Sequence, residues 1–170
     1  MIFGSIVVVL FTASYLAGRR GVYSSSQHRL NEQLRDPATR VAATSELALQ
    51  IANAIAVNHP VIPGASDEGS CPARYASRAT SVVEAMAADE ATVTIAAAGT
   101  RLRDAGWRVD AAASGSGRRT IVNAHNRQGV EVAVTDVAGS DASSIEVTVT
   151  VPCDLVPVKV SVTTTTESGG

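Results

Sequence analysis

Cys71 and Cys153 are the only two cysteines in the 170-residue chain, and they are the only side chains that offer covalent cross-linking. An even pair with no close spacing suits one disulfide in an exported domain, where thiols are oxidised. Such a bridge closes a loop of 82 residues. On the chain-entropy account it contributes about 4 kcal/mol, less if the native geometry is strained. It ties the loop after the first long helix to the end of the last strands. The alternative is two separate buried thiols. Metal ligation is weaker still, because the two sulfurs lack the paired spacing of a zinc site.

No other chemistry-bearing residues assemble into a catalytic pattern. His28, His59 and His125 are isolated in sequence and read as a surface, a pre-proline loop and a strand histidine. Gly115, Ser116 and Gly117 precede Arg118 and Arg119, a combination that suggests phosphate binding. A phosphate cradle, however, sits between a strand and a helix N-terminus, and here a strand follows, so this is read as a hairpin loop. Serines are plentiful without a G-x-S-x-G elbow, and Asp89, Glu90 and Asp104 suit helix-end and surface roles. The reading therefore assigns no catalytic, cofactor-binding or metal site, and no enzyme activity. A net charge of −2 disfavours a nucleic-acid binder, which needs a basic stripe. Aromatic residues make up 4% of the chain, too few for a stacking platform.

The elements that position the cysteines begin with an address. Residues 1–18 carry no ionisable side chain, and Arg19 and Arg20 follow. As a helix this run covers about 27 Å, just short of a hydrocarbon core of roughly 30 Å, which slight thinning or snorkelling arginines complete. No Lys or Arg precedes it and no clean A-x-A follows, so an uncleaved anchor is favoured over a secretory signal. Its orientation is contested. Arg19, Arg20 and Arg29 follow the apolar run and direct the remainder to the cytoplasm, whereas the cysteines direct it outside.

Beyond the anchor, residues 23–35 read as a continuation of the membrane helix or a stalk. Asp36-Pro37 has the pattern of a helix start, and Leu47, Ile51 and Ile55 recur at four-residue spacing beside Ala48 and Ala52. Residues 59–64, with two prolines and a glycine, end that helix, and 65–70 read as loop. Residues 72–88 are equally compatible with helix and strand. Asp89 is expected to cap a second helix with Ala91, Ile95, Ala98, Leu102 and Ala105 on one face and Gly106 as its left-handed terminus. From Trp107 the period becomes two: runs 107–113, 119–125, 130–136 and 145–151, separated by glycine-bearing breaks, read as an antiparallel meander. Val130, Val132 and Val134, and Ile145, Val147, Val149 and Val151, should face the core. If the last of these strands persists through Pro152, Cys153 shares that face. Residues 156–162 alternate valine with polar residues and Pro157, which marks an edge strand; 164–170 read as a flexible tail.

The terminal VTVTVPCDLVPVKVSVTTTTES, behind an apolar helix and an alanine-rich helical stretch, resembles TadE/TadG-like minor pseudopilins. That resemblance implies pilus or secretion association, although the acidic residue expected early in the apolar segment is missing. Val61-Ile62-Pro63-Gly64, Asp104-Ala105-Gly106-Trp107-Arg108-Val109 and Thr150-Val151-Pro152-Cys153 are similar to small exported actinobacterial lipoproteins and membrane-anchored proteins of unknown function. This second resemblance implies a helix packed on an antiparallel sheet with a disulfide, and no activity.

The expected fold class is α+β: an N-terminal transmembrane helix (1–22), a helical stalk and first helix (23–58), a two-layer domain of helices on a meander sheet (59–163), and a tail (164–170). The expected role is that of a single-pass cytoplasmic-membrane protein whose extracytoplasmic domain binds other envelope proteins. The alternative is a small-ligand module with its site between the Trp107 end of the sheet and the first helix.

Overall fold

The computed structural model describes residues 25–71, 75–110, 113–114, 120–138 and 142–155. Helix α1 (Ser25–Arg35) runs into α2 (Pro37–Ile55) through Asp36. Asp36 is extended (φ −77°, ψ 116°), its carboxylate accepts from the Ala38 amide at 3.1 Å, and Pro37 occupies the first helical position, where a missing N–H costs nothing. The expected stripe is the buried one: Leu47, Ala48, Ile51, Ala52 and Ile55 all face the core. Helix α1 is more than a stalk, because Leu34 is buried and Leu30 packs beside it on the same core.

Helix α3 (Ala88–Asp104) buries Ala91, Ile95, Ala98 and Leu102 as the spacing predicts, but Asp89 is not its cap. That position belongs to Ala87, which is extended and offers no side-chain bond, while Asp89 lies in the first turn and accepts from the Glu90 amide. The preceding strand ends at Met86, so the change from extended to helical backbone falls on the next residue whatever its capping ability. At the other end Gly106 has φ +86°. The Trp107 amide bonds the Leu102 carbonyl and the Gly106 amide bonds that of Arg103, the paired closure that a left-handed glycine permits.

The strands are β1 (Val61–Glu68), β2 (Ser77–Met86), β3 (Arg108–Val109), β4 (Ala113–Ser114), β5 (Thr120–His125), β6 (Glu131–Ala138) and β7 (Ser143–Val151). All pairings are antiparallel, in the order β1-β2-β7-β6-β5-β3, with β4 also on β5. The meander β5-β6-β7 is present as expected. Residues 61–68, read from sequence as helix stop and loop, instead form edge strand β1, and the ambiguous stretch before α3 is strand β2. Pro63 is tolerated because its pair with Ser81 falls between the bonding pairs of the β1–β2 ladder, so its missing N–H breaks no bond to β2, and the register shift between Pro63 and Ser66 absorbs an extra residue as a bulge.

Alternation along the strands sorts the two faces. Val130, Val132, Val134, Ile145, Val147, Val149 and Val151 are at most 1% exposed. α2 packs on β1, β2 and β7, and α3 packs on β3, β5, β6 and β7, so both helices lie on this apolar face and complete a two-layer α+β domain. The opposite face carries Thr148, Thr150, Glu146, Glu131, Thr135 and Arg78, all partly or fully accessible. Among the described residues no helix is long and apolar enough to cross a membrane. The expected anchor at 1–22, the glycine-rich loop at 115–117, the expected edge strand at 156–162 and the tail lie outside the described residues.

Candidate functional site

At the end of the sheet where β1 turns into β2 and β7 leaves, covalent and main-chain fastenings come together. Cys71 and Cys153 form a disulfide there, with their Cα atoms 5.8 Å apart. β7 ends at Val151, two residues before Cys153, which is half-buried beside the bridge rather than part of the strand. The Ala76 amide donates to the Val151 carbonyl at the end of β7, and the Gly69 amide donates to the Ala76 carbonyl across the connection between β1 and β2. Gly69 is required by contact: a Cβ there would strike the Tyr75 carbonyl and lie 2.6 Å from its ring.

On the open face of the same turn, Tyr75 Oη donates to Asp67 Oδ2 at 2.6 Å, and the Arg78 guanidinium lies 4.4 Å from the centre of the tyrosine ring. The hydrogen bond to Asp67 pushes the Tyr75 phenol above its ordinary value, helped by partial desolvation and the Asp67 charge and opposed by Arg78. Register extends this cluster across the sheet: Asp67, Arg78, Thr150, Glu131, His125 and Arg108 are successive cross-strand neighbours. Every one is polar, and charges alternate along the row. His125 Nδ1 stands 3.6 Å from Asp110 Oδ2 at its far end. A row of this kind favours hydration and directional contacts over burial of an apolar ligand.

The other residues singled out from sequence serve structure. His59 donates from Nε2 to Glu90 Oε1 at 2.9 Å and joins the loop after α2 to the first turn of α3. Trp107 is 6% exposed and belongs to the core. The His28 side chain and Gly115–Gly117 lie outside the described residues. Among the described residues no three His, Cys, Asp or Glu side chains converge to hold a metal ion.

Three fastenings were not apparent in sequence. Arg101 reaches from α3 to the C-terminal carbonyls of Ala54 and Ile55, where a cation offsets the helix dipole and satisfies free acceptors. Thr44 on α2 donates to the Arg40 carbonyl and shares a buried 2.7 Å hydrogen bond with Ser77 on β2. Gly64 lies so close to β2 that a Cβ would come 2.9 Å from the Thr80 carbonyl. Each joins positions whose partners no local pattern names.

The site geometry therefore comprises a covalent staple, a polar face and, among the described residues, β1 as the end strand of the sheet. Comparison with protein-family models, with curated proteins and with solved structures gives no match.

Proposed function

We propose that this is a non-enzymatic, single-span envelope protein: residues 1–22 anchor it, and its α+β domain is held outside the cytoplasmic membrane to engage other envelope proteins. The observation that supports this reading most strongly is the Cys71–Cys153 disulfide, because such bridges persist in oxidising compartments and are rare where thiols are kept reduced. The bridge favours an external domain over the cytoplasmic orientation suggested by Arg19, Arg20 and Arg29. The contact element is the sheet edge built by residues 156–162, whose alternation suits strand addition with main-chain hydrogen bonds providing affinity.

Thiol labelling of intact cells by a membrane-impermeant reagent, before and after reduction, tests the address. The expected outcome is labelling only after reduction; two free thiols, or labelling only after lysis, would sink it. Affinity capture with and without residues 154–170 tests the contact element. Partner recovery should fall on deletion, and unchanged recovery removes that segment from the interface.

A further inference from the structure

We propose that the open face of the sheet is a self-complementary interface on which a second copy of this chain docks face to face, about a two-fold axis running along β7 through Thr150. Helices α2 and α3 both pack on the other face, which leaves this one to a partner. The polar row across it has opposite character at positions equidistant from Thr150. Arg78 lies one strand to one side and Glu131 one strand to the other; two strands out stand Asp67 and His125. A two-fold axis along the strand exchanges the two sides, so Arg78 of each copy comes opposite Glu131 of the other, and Asp67 opposite His125. The outer two already have partners in their own chain, Tyr75 and Asp110, so the central pair carries the recognition.

Within one chain the central charges do not meet. Arg78 and Glu131 are separated by two strand spacings, about 9.6 Å, with Thr150 between them. Among the described residues neither has an ion-pair partner, and the contact of Arg78 with the Tyr75 ring removes none of its N–H donors. Opposed across two sheets and partly withdrawn from water, the two charges find the partners that they lack alone.

The rest of the face admits the close approach this requires. Thr80, Thr148 and Ala133, next along the strands, are small and half-buried, so they allow the roughly 10 Å separation of packed sheets. The row beyond contributes apolar surface, with Ile62 48% exposed and Val82 and Ile121 half-buried. Glu146 stands in that row, four residues from Thr150, and accepts from the Thr148 hydroxyl at 3.2 Å. Packed sheets cross at about 30°, and a pivot at Thr150 carries the two Glu146 side chains about 7 Å past each other, so they do not face as like charges. From β1 to β5 the face measures roughly 24 Å by 26 Å, on the order of 600 Å², which is below the roughly 800 Å² per partner of a standard interface. The dimer is therefore concentration-dependent, with dissociation in the micromolar range.

The test is co-capture of two differently tagged copies of the full chain, disulfide intact, in detergent with micelles in large excess over protein. Wild type should capture wild type, less so as salt is added. Arg78→Glu and Glu131→Arg should each lower self-capture at least about tenfold, because each sets two like-charge pairs across the axis. Mixing these two variants should restore capture to near the wild-type level, since every reversed charge then faces its opposite. Should either reversal unfold the domain, as read by circular dichroism, Arg78→Gln and Glu131→Gln replace them, each expected to lower self-capture about threefold. Unchanged self-capture in folded variants overturns the proposal, because the copies then meet elsewhere. Loss in both folded reversals without recovery on mixing overturns the two-fold pairing. A wild-type chain still monomeric at about 100 µM overturns it as well and leaves the face to a partner of another kind. The variants keep residues 156–162 intact, so this proposal and the deletion experiment fail separately.

Discussion

At the scale of single residues, a few polar atoms hold elements that apolar packing alone would leave free to slide. Thr44 and Ser77 are both fully buried, and each satisfies the other. Thr44→Val should leave the Ser77 hydroxyl without its partner and cost about 1–3 kcal/mol in denaturant unfolding. Adding Ser77→Ala to that variant should recover part of the loss, because an apolar pair leaves no orphan; a double mutant as unstable as the sum of the singles would contradict the shared bond. Tyr75 gives a titration test. With its phenol held above the ordinary range by Asp67, the folded state retains the proton more tightly than the unfolded chain does. Its contribution to stability is therefore present below the unfolded tyrosine pKa and declines as pH rises through the folded value. The absorbance titration attributable to Tyr75, obtained by difference from Tyr75→Phe, should have its midpoint above that of a free tyrosine. Asp67→Ala should move it down.

At the scale of elements, the contrast between α2 and β1 shows what local pattern can specify. α2 was legible because Asp36-Pro37 starts it and its stripe repeats at the helical period, both properties of adjacent residues. β1 was not, because seven of its eight residues are exposed and no alternation marks it. It is a strand because β2 offers it a partner. The end of α2 shows the same dependence, since its carbonyls are satisfied by Arg101, 46 residues from Ile55. Arg101→Ala should cost about 0.5–1 kcal/mol, read as a lower midpoint at unchanged denaturant slope, and Arg101→Lys should recover only part of it. At the β1–β2 turn, Gly69→Ala should destabilise by about 1–3 kcal/mol because the added methyl meets the Tyr75 carbonyl and ring.

At the scale of the whole molecule, the bridge connects the first hairpin of the sheet to the exit of the last described strand across 82 residues. Replacing both cysteines by serine should lower unfolding free energy by about 4 kcal/mol on the entropic account, with the midpoint moving to lower denaturant. If the native geometry carries strain the loss will be smaller. No loss at all would mean that the helices and sheet already restrain that end without it.

Taken alone, the sequence determined the apolar start, the two helices, the meander and the inward faces of β6 and β7, because each is carried by composition or by a period between near neighbours. It also made a single bridge between Cys71 and Cys153 the leading possibility, since there were only two sulfurs to join. Tertiary structure alone decided that β2 inserts beside β7, that β1 becomes the edge, and that Arg101, Thr44 and Tyr75 find their partners. Those outcomes depend on strand pairing and contacts between residues tens of positions apart, where the energy resides in relative placement and leaves no periodic trace in the chain.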